Sequence, residues 1–289
     1  MILNVKLTYP SGKEIVINGA SSILNPKSNT VMFVGKKFAD KIDNLITVEN
    51  CLVFVLLDTH LPESIQKKHI IQFNQNPRKA FGKFLENNRA EERLETSYRN
   101  INDAIISTDS HLGKNVIIEP FSFVGSDVVI GENTIIHSGV RILPGTKIGE
   151  NCEIHENTVI GTVGLAYEGD QRIPQIGNTI IGDNVAIGAS CVIARGAIND
   201  TVIGNNVKID STCFISHNVH IGDNCFLVAG ANLFGSVIVK DGAYISGNAV
   251  IRNGVSIGEG SVVGMGSVVI KDVLVNSVVV GNPARILEK

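Results

Sequence analysis

The stretch from Ile209 to Cys225, IDSTCFISHNVHIGDNC, places Asp210, His217, Asn218 and His220 among residues that are otherwise aliphatic, small or turn-forming. An imidazole titrates near neutrality and can take up and return a proton during a reaction, while a neighbouring polar group can fix its tautomer. A second pair of imidazoles, His137 and His155, has the right residue type for a metal site, but a third ligand at suitable spacing is not evident. Five cysteines, at 51, 152, 191, 213 and 225, form neither a CxxC pair nor a zinc-type pattern with histidine, which fits free thiols in a reducing compartment.

The elements that must position these groups are read from a six-residue period. Starting at Ile106, every sixth residue is aliphatic through Ile160; the step returns at Ile181, Ile187 and Ile193, and again from Ile203 to Val269. Four residues after each aliphatic comes a small or β-branched residue such as Val116, Thr134, Cys152, Cys191, Cys213 or Cys225, so both positions point inward. Four of the five cysteines therefore read as buried filler rather than redox or metal groups. Short β-branched segments separated by IGDN, IGEN and IGNN turns describe a parallel β-helix whose coils stack about 4.8 Å apart. His217 and Gly235 are 18 residues apart, a whole number of six-residue steps, and so are His137 and His155.

Two breaks interrupt the period. GTVGLAYEGDQRIPQIG, residues 161–177, carries Tyr167, Glu168, Asp170, Gln171 and Arg172, and is the break expected to border a site; ARGAINDTVIG adds four residues between Ile193 and Ile203 and reads as a corner bulge. Residues 1–100 lack the hexad and mix strand-like NTVMFVG and CLVFVLL with helical stretches, predicting a small α/β domain. Asn76 and Pro77 suit the start of a helix with Ala80, Phe81, Phe84 and Leu85 on one face, and NNRAEERLETSYRN reads as a charged linker. The β-helix is expected over 101–275 with 161–177 as a loop insertion, followed by a tail over 276–289.

Composition narrows the function classes. A formal charge of −3 and the lack of a Lys/Arg run give no footprint for nucleic acid, and no apolar run approaches a membrane span. The amino terminus has no signal-peptide pattern, so a cytoplasmic location is expected.

The [LIV]-G-x-x-[STAVC]-x hexad resembles the left-handed β-helix of the hexapeptide acyltransferase superfamily, which implies three hexads per triangular coil of 18 residues, so that His217 and Gly235, or His137 and His155, stand one coil apart. It also implies the handedness and a homotrimer with sites in the clefts between prisms. IPQIG, RGAINDTVIG, KID and SHNVHIGDN, in this order, resemble the UDP-3-O-acylglucosamine N-acyltransferase family of lipid A biosynthesis, as do NPKSNTVMFVGKKFADKI and NPRKAFGKFLE in the amino-terminal segment. The resemblance implies that His217 is the general base, that Asp210 orients it, and that the Gly235 amide stabilises the oxyanion. It implies a uridine-type nucleotide domain, with Phe33 and Phe38 around the base, and Asn218, Tyr167 and Gln171 are further candidates for substrate contact.

The chain departs from that family in places. A glycine, Gly35, aligns with the family's base-binding asparagine, Gly254 aligns with a second active-site histidine, and the carboxy-terminal helices that meet acyl carrier protein are missing. GMGSVVIKDVLVNSVVVGNPARILEK instead resembles the closing segment of CoA-dependent hexapeptide acetyltransferases, implying acyl-CoA as donor with Gly247, Lys271 and Arg285 as its contacts. The expected activity is acyl transfer from a thioester to the amine of a nucleotide-linked amino sugar, with no tightly bound cofactor and no metal. Two alternatives stand: the lipid A reaction itself with acyl carrier protein, and a silent β-helix scaffold or a metal-dependent hydratase resembling γ-class carbonic anhydrases, for which His137 and His155 would be ligands rather than surface or interface residues.

Overall fold

A computed structural model describes residues 3–8, 12, 14–88 and 97–288. The chain divides into two compact units, one of Met1–Leu94 with Leu165–Ile176 and one of Glu95–Gly164 with Gly177–Lys289. Most of the first break thus belongs to the amino-terminal unit rather than to the β-helix that it interrupts. The charged linker falls largely on residues 89–96, outside the described residues; beyond it, Tyr98–Ile101 is a strand paired antiparallel with Ala104–Ser107.

In the first unit, strands β1 (Val5–Thr8) and β2 (Glu14–Ile17) pair antiparallel. A separate parallel sheet runs β3 (Gly19–Ala20), β4 (Thr30–Phe33), β5 (Leu52–Leu56) and β6 (Ile70–Asn74). The run LVFVL in β5 is buried over its first four residues, as a central parallel strand must be. Helix α1 (Glu63–Lys68) precedes β6, and α2 (Pro77–Asn87) follows it. The start of α2 is as expected: Asn76 Oδ1 accepts from the Lys79 amide at 2.9 Å, with Pro77 in the first turn. Phe81 and Leu85 are fully buried, and Phe81 meets Phe33 at 5.2 Å between ring centroids.

In the second unit three parallel sheets form the sides of a β-helix, and each inward aliphatic stacks on the next, Ile130 on Ile148 and Ile215 on Leu233. Partners across most of the stack lie 18 residues apart, as in the asparagine ladder Asn115–Asn133–Asn151. Across the first break the spacing becomes 33 and across the second 22, yet Ile148 still meets Ile181 and Ile181 still meets Ile203. Both insertions therefore leave the ladder's register intact. The core is one continuous column of Ile, Val, Leu, Ala and Cys, each fully buried large aliphatic contributing roughly 1.5–3 kcal/mol. The small slot is filled as expected: Cys152, Cys191, Cys213 and Cys225 are buried free thiols.

The β-helix extends beyond residue 275. Val278–Val280 adds a parallel rung on Val262–Val263, and Arg285–Ile286 pairs back antiparallel, so the expected tail contributes two strands to the sheet. Among the described residues no helix is long and apolar enough to cross a membrane.

Candidate active site

The hexad itself creates the donors that a site can use. The residue directly after each inward aliphatic donates its N–H to the next coil: Gly222 to Val239 O at 2.8 Å, Ser216 to Leu233 O at 2.9 Å. The residue after that has turned the corner and leaves the ladder. At one corner a side chain of the next coil captures this amide: Glu150 N–H donates to Asp183 Oδ1 at 2.8 Å, Asp183 N–H to Asn205 Oδ1 at 2.9 Å, and Asn205 N–H to Asp223 Oδ1 at 2.7 Å. The repeated Asp and Asn of IGDN and IGNN are thus caps on one another.

At the corner that follows Phe214–Ile215 and Asn232–Leu233, the equivalent positions hold His217 and Gly235, and among the described residues no carboxylate accepts from their amides. Among the described residues the Gly235 amide has no hydrogen-bond partner. A Cβ added to Gly235 would lie 2.6 Å from His217 Cε1 and 2.8 Å from Nε2, so the imidazole rests against the bare Cα. Glycine is required there by close approach, not by an unusual backbone angle.

Asn218 fixes the ring. It occupies the left-handed corner, φ 59°, a conformation asparagine tolerates. Its Nδ2 donates to Asn199 O at 2.6 Å and its Oδ1 accepts from the Ala197 amide at 3.1 Å, which settles the amide's orientation. That same Oδ1 lies 3.0 Å from His217 Nδ1. Because Oδ1 can only accept, Nδ1 carries the proton and Nε2 keeps its lone pair, the tautomer a base needs. The Asn218 amide also donates to Thr201 Oγ1 at 2.8 Å. The second insertion, read from sequence as a corner bulge, is therefore the one wired to the imidazole.

The structure distributes the other expected residues as follows. Asp210 sits at a different corner, after Lys208–Ile209, where its oxygens accept from the amides of Ser211 at 2.7 Å and Ala229 at 3.3 Å. Within one chain the orienting partner of His217 is Asn218, not Asp210, because the sequence separation of seven spans a corner. Tyr167 is an exposed member of the Tyr167–Glu168/Gln171–Arg172 hairpin. Gln171 Nε2 donates to Glu86 Oε2 at 2.8 Å, and Glu168 and Asp170 pair with Arg78 and Lys79 of α2. The first break thus serves to pack its own unit. Phe33 is engaged by Phe81, and Phe38 packs on the core cluster around Met32, with Lys37 Nζ 5.5 Å from its ring centroid. Gly247 is buried in the β-helix, while Lys271 and Arg285 are exposed.

Two cavities were not anticipated. One, of about 550 Å³, opens at the carboxyl ends of β5 and β6 and is lined by Leu57, Phe73, Asn74, Gln75, Asn76, Lys79, Ala80 and Lys83. The signal available in the sequence was the parallel sheet itself, whose carboxyl edge is the usual ligand position. The other, of about 330 Å³, is lined by His220, Ile221, Gly222, Ile238, Val239, Lys240 and Asp241. Burial pushes the Cys152 thiol up and the Cys225 thiol up to about 11.

Comparisons with known proteins agree with this architecture. The bacterial transferase hexapeptide (six repeats) family matches residues 109–143, 127–162 and 200–235, and the hexapeptide repeat of succinyl-transferase matches 218–253 and 236–271. The UDP-N-acetylglucosamine acyltransferase of Francisella novicida is 30% identical, over 64% of this chain and 68% of that one, with a TM-score of 0.60. The chain belongs to the hexapeptide-repeat acyltransferases. Another solved member, LpxA from Bacteroides fragilis 9343, is 28% identical with a TM-score of 0.61, over 65% of this chain and 73% of its own. The UDP-3-O-acylglucosamine N-acyltransferase of Pseudoalteromonas translucida (strain TAC 125) is 43% identical over 67 residues, 22% of this chain. The match spans 20% of that relative's length. For this hexapeptide-repeat acyltransferase the β-helix is left-handed, as in the LpxA fold.

Proposed function

We propose that the protein is an N-acyltransferase that moves an acyl group from a thioester carrier to the amine of a nucleotide-linked amino sugar, with His217 as general base. The observation that carries this reading is the imidazole held on the Gly235 Cα with Nδ1 bound to Asn218 and Nε2 free. The sugar amine attacks the thioester carbonyl and a C–N bond forms. Nε2 takes the proton that the nitrogen must shed. The oxygen of the tetrahedral intermediate accepts from the Gly235 amide, a donor that needs no reorganisation. Collapse breaks the C–S bond, and the imidazolium returns its proton to the departing thiolate.

Acyl-CoA is the favoured donor, and a homotrimer in the cytoplasm is the proposed state. Asp210 lies at another corner of its own chain, so any pairing with His217 belongs to a neighbouring copy. The 43% identical segment favours a second reading, the lipid A reaction with a hydroxyacyl chain on acyl carrier protein. Purified protein assayed against acetyl-CoA, longer acyl-CoAs and acyl carrier protein thioesters, each with a panel of nucleotide amino sugars, separates the two. Absence of transfer with every pair would leave the scaffold alternative instead, and full activity in His217→Ala would remove His217 from the role of base.

A further inference from the structure

A second cluster of ionisable groups occupies the corner that follows Ile135–Ile136 and Glu153–Ile154. His137 and His155 stack with centroids 4.7 Å apart and planes inclined by 21°. Glu153, on the strand between them in sequence, places Oε1 2.9 Å from His137 Nε2 and 3.6 Å from His155 Nε2. One donor atom from each of the three lies within 4.8 Å of the others. Each remaining ring nitrogen faces a carboxylate of its own: His137 Nδ1 is 3.2 Å from Glu119 Oε1, and His155 Nδ1 is 3.6 Å from Glu156 Oε2. Glu119 is itself tied down, its Oε2 accepting from the Ser138 amide at 2.9 Å.

We propose that His137 Nε2, His155 Nε2 and a Glu153 carboxylate oxygen form a binding site for a divalent transition metal of the zinc class. Two imidazoles and one carboxylate are a donor set that zinc accepts with a fourth position left open. The outer groups are arranged as metal sites require. A carboxylate on each Nδ1 keeps that nitrogen protonated, turns the Nε2 lone pair inward and raises its basicity. Charge points the same way: Glu119, Glu153 and Glu156 surround two imidazoles that are neutral when they ligate, and a dication offsets that excess. Bonds of about 2.0–2.1 Å at a tetrahedral centre set the donors roughly 3.3 Å apart. Glu153 Oε1, at 2.9 Å and 3.6 Å from the two Nε2 atoms, already brackets that spacing, and the two imidazole donors, within 4.8 Å of each other, have the most to close. The side chains are 19%, 47% and 37% exposed for His137, Glu153 and His155, which leaves them free to do so and open to an entering ion. The metal would link two successive coils and present its open position to water or to a ligand.

The test uses full-length, tag-free protein stripped with a chelator and titrated with zinc chloride by calorimetry, and with cobalt chloride by visible absorption. The expected result is one zinc per chain, the absorption bands of four-coordinate cobalt, and a rise in melting temperature with zinc. Glu153→Gln, which keeps the side chain's size, and His155→Ala should each weaken binding about 100-fold or more, and Glu119→Gln by roughly 10–100-fold through loss of the outer carboxylate. Circular dichroism confirms that each variant folds. Wild-type protein that takes up no zinc, or Glu153→Gln and His155→Ala proteins that bind as tightly as wild type, would overturn the proposal.

Discussion

Two corners of the same β-helix hold histidines in different surroundings, and a single position within the hexad distinguishes them. His137 and His155 come directly after an inward isoleucine, where the backbone is still in the ladder: His137 N–H donates to Ile154 O at 2.9 Å. Their rings stack along the column and meet carboxylates, and Glu153 first, then Glu119, pushes the titration of His137 upward. His217 stands one residue further on, past the ladder, where its ring meets a glycine Cα and a neutral amide. The difference teaches that the scaffold supplies position while the partner supplies function. A carboxylate favours imidazolium or a bound cation, whereas an amide oxygen that accepts from Nδ1 decides which ring nitrogen faces outward.

This contrast can be broken at the His217 corner first. His217→Ala should lower kcat by about 10²–10⁴-fold with the fold unchanged, as measured by transfer assay and circular dichroism. Gly235→Ala puts a methyl group where the imidazole sits, and displacing the ring should cost on the order of 10²-fold in turnover with little change in melting temperature. Asn218→Ala removes the acceptor on Nδ1 and the tie to the second insertion, and a fall in kcat of roughly tenfold or more is expected. His137→Ala, at the other corner, should leave turnover at the wild-type level; a loss matching that of His217→Ala would erase the distinction between the corners.

A third histidine sharpens the comparison from inside the amino-terminal unit. Buried His69 accepts from the Cys51 amide at 3.3 Å through Nδ1 and donates from Nε2 to Leu45 O at 3.0 Å. Burial lowers its pKa, so the unfolded chain binds the proton first as the solution is acidified. Stability from this group is complete above the unfolded value of about 6.5 and is lost as pH falls through the folded one. Urea midpoints at pH 7 and pH 5 should therefore differ more for the wild type than for His69→Gln, whose amide can keep both bonds without titrating.

Much of the β-helix was legible because its rule is local. An aliphatic every sixth residue, a small residue four later and an asparagine or aspartate at the turn are each demanded by one short segment, so Ile106 through Val269 announced the stack. His217 and Gly235 were legible as a vertical pair for the same reason: a period of 18 converts directly into height. The pairing with Asn218 was not, although the two are adjacent, since a side chain's direction at a left-handed corner depends on which backbone groups claim it. The two insertions were not legible in their partners. Their lengths were visible, but Leu165–Ile176 packs with α2 through Glu168, Asp170 and Ile173, and such contacts over about 90 residues leave no periodic trace.

The sequence by itself determined the repeat, the inward residues, the buried thiols and the height at which each polar residue stands on the stack, because stacked hydrogen bonding repeats one geometry at every coil. Only the tertiary structure decided which corner each residue occupies and which neighbour completes it: Asn218 rather than Asp210 for His217, and Glu153 for the paired imidazoles. Those outcomes depend on where side chains from different coils and insertions converge, a property of distance in space that no local rule encodes.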